Sequence, residues 1–181
     1  TGLPALFVKW FAAATAAWAI WAAAFSRGDS LSLTITFLTL MLVLTFIVIT
    51  PSANSAREQL HRSDCVLALV SIVVGIFFIA QAGEIGARIT LLDPLSRADL
   101  FCASVLILLT IEAVRRTVGL GLTALVLLFI VYNLFGDQIS GPLRHGEIST
   151  EHFIDIMIFM TDGLFGVPLR VAATYAFLFV L

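Results

Sequence analysis

The chain has 181 residues, of which 60% are hydrophobic and 12% charged, and its formal net charge is −2. Soluble domains usually carry about 25% charged residues, so this chain has too little polar surface to enclose an apolar core in water. Lipid is therefore the expected solvent for much of it. The low charge and the lack of a long basic run argue against nucleic acid as a partner.

Apolar segments close to the length that crosses a bilayer, about 20 residues, recur along the chain. Pro51 ends the second of them, and the pair Arg115-Arg116 ends the fourth. The predicted spans are 5–25, 31–50, 65–82, 99–114, 119–136 and a sixth from 167 that runs to residue 181. Unpaired backbone groups are costly in lipid, so every span should be a helix. The predicted fold class is an all-α polytopic transmembrane protein with about six spans, the last of them truncated.

Polar or turn-rich residues separate several of these spans and predict aqueous loops at 51–64, 81–99 and 136–149. The segment 149–161 is different. Ser149 or Thr150 can cap a helix there, with Glu151 in its first turn. About 13 residues rise roughly 20 Å as a helix, which is too short to span. Glu151, His152 and Asp155 recur at helical spacing among apolar residues. We predict a short amphipathic helix in the membrane interface, whose polar stripe faces water or docks a soluble partner.

The basic residues favour an orientation with the N-terminus in the cytoplasm. Five of them then fall inside and four outside. The inside group is Lys9, Arg57, Arg62, Arg115 and Arg116, and the outside group is Arg27, Arg88, Arg97 and Arg144. The count differs little, but the Arg115-Arg116 pair lies directly at a membrane end, as topology-setting residues do.

No pattern of catalytic residues is present in the sequence. A nucleophile elbow, a zinc-protease motif, a P-loop and a dinucleotide fingerprint are all missing, so we expect no catalytic residues, no metal ligands, no cofactor and no enzymatic activity. Cys65 and Cys102 match no metal spacing and are interpreted as small apolar residues, too far apart for a disulfide. His61, His145 and His152 are predicted to be solvated.

One charged group closes the fourth predicted span. Glu112 precedes Arg115 and Arg116 by three and four residues, so it can pair with either on one helix face. The group is either a topology anchor with a local ion pair or a contact between this helix bundle and further membrane helices.

A second group surrounds the break before the sixth predicted span. Gly163, Gly166 and Pro168 interrupt the helical pattern, and Arg170 follows about one turn later. Arg170 either snorkels to the outer interface or faces an anion or a partner. Asp162 lies on the other side of the break and can pair with Arg170 across it.

Two stretches carry a resemblance to a known family. The first runs from Glu112 through Arg115, Arg116 and Gly119 to Tyr132-Asn-Leu-Phe-Gly136, and the second is 163–179, Gly-Leu-Phe-Gly-Val-Pro-Leu-Arg-Val-Ala-Ala-Thr-Tyr-Ala-Phe-Leu-Phe. They resemble the join in fused permeases of TRAP (tripartite ATP-independent periplasmic) transporters, in which a four-span subunit precedes a subunit of about twelve spans. The match covers about 99–181. Before that, it rests on the order of the spans and on weaker features such as Pro51, which ends the second span. Arg170 departs from the family, which favours Gly or another uncharged residue there.

The resemblance implies a division of the chain into three parts. Residues 1–118 correspond to the four-span small-subunit-like (Q-type) region, 119–165 to a connecting span with a periplasmic amphipathic segment, and 166–181 to the start of the large (M-type) permease domain. Thr1 in place of Met and an apolar run at Leu181 predict that the chain is an N-terminal fragment. The family's substrate and sodium sites are then expected beyond Leu181.

The implied function is secondary active uptake across a bacterial cytoplasmic (inner) membrane. In this family a periplasmic solute-binding protein delivers an organic acid, and a sodium gradient drives it inward by symport. This part of the permease would be mainly a static scaffold, and its partners would be the bilayer, the binding protein and the remainder of the permease. The competing hypotheses are a membrane adaptor without transport activity and a membrane enzyme whose active site lies further along the chain.

Overall fold

The structure is a computed structural model that describes residues 3–25, 30–49, 62–89, 92–160 and 163–176. Across those ranges the chain forms helices and no strand, as the apolar runs predict. The main helices are α1 (Leu3–Phe25), α2 (Ser30–Val48), α3 (Arg62–Ala80), α4 (Ala82–Ala87), α5 (Arg97–Thr117), α6 (Leu120–Phe135), α7 (Thr150–Ile154) and α8 (Val167–Val171). The predicted polar segment up to 61 lies outside the described residues.

Three of the described helical stretches are long and apolar enough to cross a membrane. They are Ser30–Val48, Arg62–Ala80 and Leu120–Gln138, which correspond to the second, third and fifth predicted spans. The last includes a 3₁₀ turn at Gly136–Gln138 that continues α6. The described residues are thus all-helical, and three of their helices have the length and composition of membrane spans.

The core forms where α2 packs along α3 and both contact α5. Phe46, Phe78 and Ala103 are almost completely buried in it. Gly75 of α3 lies directly against the Thr39 side chain of α2, in a position where an added Cβ would collide. A glycine at that point lets two helices approach closely, which is how membrane helices gain van der Waals contact.

The outer faces of the bundle are apolar. On α3, Val66, Leu69 and Ile76 are exposed, and α6 buries only Thr123. Exposed apolar surface this extensive is unusual for a protein surrounded by water. It is the surface expected of helices that face lipid or further helices.

Local signals in the sequence explain where several helices begin. Ser96 forms a capping box at α5: its Oγ accepts from the Asp99 N–H at 3.1 Å, and its own N–H donates to Asp99 Oδ2 at 2.9 Å. Gly119, at φ 102°, separates α5 from α6, a conformation that glycine adopts without strain. Pro168 stands in the first turn of α8, where its missing N–H costs nothing.

The segment predicted as one amphipathic helix at 149–161 has a different form. Ser149 does cap α7, accepting from the His152 N–H at 3.2 Å, but after Ile154 the helix widens into a π-helix at Asp155–Phe159. Phe153, Ile154 and Phe159 join the core. Asp155 is buried as well, so the prediction that it belongs to a polar stripe facing water or a soluble partner is wrong for this residue.

Candidate functional site

Among the residues that the structure describes, charged side chains meet inside the bundle at two places, one at each end of α3. The Arg116 cluster comprises Asp64, Glu112, Arg115 and Arg116, at the start of α3 and the end of α5. The Arg88 cluster comprises Arg88, Asp155 and the ring of Phe159, and it lies beyond the other end of α3. Because α3 is 19 residues long, its ends lie about 28 Å apart at 1.5 Å per residue.

The Arg116 guanidinium is the centre of the first cluster. Its Nε donates to Glu112 Oε1 at 2.7 Å, and its Nη1 donates to Asp64 Oδ1 at 2.9 Å and to the Ile49 carbonyl at 3.2 Å. Its face lies 5.1 Å from the ring centroid of Phe46. The Arg116 side chain is only 2% exposed and that of Asp64 only 5%. A single side chain therefore binds the end of α2, the start of α3 and the last turns of α5.

Arg115 occupies the rim of the same cluster. It binds Glu112 through two hydrogen bonds of 2.7 Å, from Nε and from Nη2, and it is 33% exposed. The predicted pairing of Glu112 with either arginine is thus confirmed for both. The two arginines differ in what they do: Arg115 holds a carboxylate on its own helix, whereas Arg116 connects three helices.

Asp64 is the member of this cluster that the sequence misplaces. The sequence pattern predicts that it lies in the aqueous loop 51–64, but α3 begins at Arg62 and carries Asp64 into the bundle. A buried carboxylate is stable only with a charged or hydrogen-bonding partner, and Arg116, 52 residues later, is that partner. In the sequence alone, Asp64 resembles the last residue of a loop, because an apolar run begins immediately after it.

In the Arg88 cluster an ion pair links two segments distant in sequence. Arg88 Nε lies 3.5 Å from Asp155 Oδ1, and the guanidinium lies 5.4 Å from the centroid of the Phe159 ring. The Asp155 side chain is 5% exposed and that of Arg88 13%. Arg88 also donates to the Asp93 carbonyl. The residues after α4 are therefore held against the π-helix that follows α7.

A cavity of about 520 Å³ adjoins the Arg88 cluster. Polar side chains from three elements line it, together with Phe159: Gln81 and Glu84 near α4, Asp93 in the following loop, and Asp99 of α5. Arg88 lines it as well, and its guanidinium lies against Asp155 and the Phe159 ring. The segment 81–99, predicted as an aqueous loop, therefore contains the helix α4 and lines much of this cavity.

The break before α8 has the form that its residues predict. Gly163 leaves no room for a side chain, since an added Cβ would meet the backbone carbonyls of Ile156 and Met157. Gly166 precedes α8, and Arg170 follows Pro168 within that helix. The buried Nε of Arg170 has no hydrogen-bond partner among the described residues. Its predicted partner Asp162 lies outside the described ranges, as do residues 177–181 of the sixth predicted span.

Neither cluster resembles a catalytic or metal centre. Groups of His, Cys, Asp and Glu able to hold a metal ion are missing from the described residues. Cys65 and Cys102 are both free thiols. Both clusters have a structural role: each one holds helical segments together at one end of the bundle.

Comparisons of the chain with protein-family models, with curated proteins and with solved structures return no match.

Proposed function

We propose that this chain is the scaffold part of the membrane permease of a sodium-coupled TRAP-type transporter that takes up organic acids. It would lie in a bacterial inner membrane with its N-terminus in the cytoplasm, and it would hold the transporting part of the permease in place. The resemblance of 112–136 and 163–179 to the join of fused permeases supports the family.

The observation that carries the scaffold role is the position of Arg116. A charge buried to 2% exposure between α2, α3 and α5 makes relative movement of those helices costly, because separating them leaves Asp64 buried without its partner. At the opposite end, Arg88 and Asp155 fasten the segment before α5 to the segment after α6. A bundle fastened at both ends suits an element that stays still while a neighbour moves.

The proposal includes a topology of six spans with the segment 149–161 at the outer interface. The Arg116 cluster then lies at the cytoplasmic end of the bundle and the Arg88 cluster at the periplasmic end. The exposed apolar faces of α3 and α6 would contact lipid or the remainder of the permease. The chain has no enzymatic role in this proposal.

Transport by the full-length permease tests the proposal. The protein is reconstituted in liposomes together with a periplasmic solute-binding protein from the same bacterium, and uptake of a radiolabelled organic acid that this binding protein binds is measured. We expect accumulation that requires both an inward sodium gradient and the binding protein, and that stops when an ionophore collapses the gradient. Accumulation that needs no sodium gradient would refute the sodium coupling. No accumulation with a folded permease and a loaded binding protein would refute the proposal and favour an adaptor.

A further inference from the structure

A histidine fastens the loop after α6 back onto the last turn of that helix. His145 Nε2 lies 2.9 Å from the Tyr132 carbonyl oxygen, and Nδ1 lies 2.6 Å from the Gly146 carbonyl oxygen. The Tyr132 hydroxyl donates to the Leu143 carbonyl at 2.6 Å, and the Tyr132 and His145 rings meet edge to face at 5.1 Å. We call Tyr132, Gly136, Leu143, His145 and Gly146 the His145 clasp.

The two ring contacts identify the protonation state that the clasp favours. A backbone carbonyl oxygen can only accept a hydrogen bond, and a neutral imidazole has one N–H to donate. Two carbonyls, one at each ring nitrogen, are both satisfied only by the imidazolium ion, which has two N–H groups. When the ring loses a proton, one nitrogen presents a lone pair to an oxygen less than 3 Å away.

The backbone around the ring is shaped to admit it. Gly136 has no side chain where the imidazole lies, and a Cβ there would collide with Nε2 and Cδ2 of His145. Gly141 turns the loop back with φ +117°, a conformation open to glycine but strained for other residues. The Tyr132 carbonyl also accepts the Gly136 N–H that ends α6, so the histidine binds at the helix end itself.

Among the nearby charges, that of Asp137 acts in the same direction. Tyr132 on α6 is the titratable group that faces the ring, and Asp137 in the 3₁₀ turn attracts the imidazolium; Arg144 and Glu147 flank the histidine in the loop. The hydrogen bond to the Tyr132 carbonyl, then that to the Gly146 carbonyl and the Asp137 charge, raise the pKa of His145 above its ordinary value.

We propose that the His145 clasp is a proton-operated switch: it holds the loop 137–148 against α6 while His145 is protonated and releases the loop when the proton leaves. A group whose folded-state pKa is raised stabilises the closed form fully below its ordinary pKa and loses that contribution as the pH rises through the raised value. The loop leads directly into α7 and Asp155, so the switch acts on the connection between α6 and the Arg88 cluster.

The test needs no transport, so it stands apart from the proposed function. The full chain in detergent, labelled with ¹³C-histidine, is titrated by NMR, and hydrogen–deuterium exchange of residues 141–148, corrected for intrinsic exchange rates, is measured across the same pH range. We expect a His145 pKa above about 6.5 and protection of the loop that falls with the same midpoint. The ratio of protection factors at the two pH limits should equal ten raised to the measured pKa shift.

Two variants separate the switch from a passive contact. His145→Gln should remove the pH-dependent step in exchange, and Gly136→Ala, which places a methyl group where the ring lies, should return the pKa of His145 to its ordinary value. His152→Gln, a control in α7, should leave the step intact. An unshifted or lowered pKa for His145 in the unmodified chain, loop protection that does not change with pH, or a step that survives in H145Q would overturn the proposal.

Discussion

Replacing Arg116 with methionine is the most informative change to the bundle. Methionine keeps much of the length of the side chain but has neither charge nor donors. It leaves Asp64, 5% exposed, without the guanidinium that now lies 2.9 Å away. Removing one partner of a buried ion pair costs about 3–5 kcal/mol, because the remaining charge is left desolvated and unpaired. We expect R116M to lower the free energy of unfolding by that amount.

The adjacent arginine is the matched control. Arg115→Met makes the same chemical change one residue earlier, but Arg115 binds Glu112, and both side chains are partly exposed, Arg115 by 33% and Glu112 by 26%. Solvent-exposed pairs contribute about 0.2–1 kcal/mol, and Glu112 keeps its bond to Arg116 in this variant. The expected difference between the two substitutions is therefore at least 2 kcal/mol, although they are one residue apart.

A third variant checks that the cost comes from the stranded carboxylate. Asp64→Leu combined with Arg116→Met removes both buried charges, and apolar replacements of a whole buried pair are often close to neutral. The double variant should be less destabilised than the sum of D64L and R116M by about 0.5–3 kcal/mol, the usual coupling energy of residues in contact.

Unfolding in mixed micelles measures these differences. Each variant is titrated with sodium dodecyl sulfate in detergent micelles, and the loss of helix is followed by circular dichroism. Free energies of unfolding are compared once the transition is shown to be reversible. A cost for R116M within 1 kcal/mol of that for R115M would refute the conclusion that Arg116 fastens three helices. Strict additivity of D64L and R116M would refute the direct pairing.

Three further predictions concern other contacts. Gly75→Ala should destabilise the chain by about 1–3 kcal/mol in the same assay, because the added methyl group meets Thr39. The control Gly121→Ala, in open space on α6, should be neutral or stabilising. Equal effects of the two substitutions would count against close packing of α2 on α3. Asp155→Asn should speed hydrogen exchange in residues 150–159 and lower the free energy of unfolding by about 1–3 kcal/mol. Glu151→Gln, at an exposed position, should do neither. Unchanged exchange in D155N would contradict the contact between Arg88 and Asp155. Ser96→Ala should cost about 1 kcal/mol by removing the α5 capping box, measured against Ser140→Ala in the loop after α6, and a neutral S96A would show that the cap is dispensable.

Much of the helical architecture follows from the sequence because lipid leaves so few alternatives. Continuous apolar runs must be helices, and the breaks at Ser96, Gly119 and Pro168 are local signals with local causes. The fourth span is predicted to start at 99, whereas α5 starts at Arg97. The helix begins two residues earlier because it starts directly after its capping residue, Ser96. Glu112 and its arginines were predictable for the same reason: their spacing on one helix decides their contact.

The contacts between distant segments could not be predicted. Asp64 and Arg116 are 52 residues apart, and no periodicity connects them; only the packing of α3 on α5 brings them together. Asp155 matched a polar stripe by its spacing, but the π-helix at 155–159 turns it toward Arg88 instead. His145 was expected to be solvated, yet both ring nitrogens face carbonyls. In each case a polar residue beside an apolar segment was assigned to water, because its partner is invisible in the local sequence.

The scaffold proposal is tested most directly by a distance inside the bundle during transport. Spin labels replace Val66 at the start of α3 and Phe101 near the start of α5, two exposed positions at opposite ends of the bundle, after Cys65 and Cys102 are changed to alanine. The distance is measured by pulsed electron resonance in the full-length protein, first without sodium and then with sodium and the loaded binding protein that the proposal requires. We predict the same distance distribution in both conditions; a shift of several ångströms would show that these helices move with the substrate and would contradict a static scaffold.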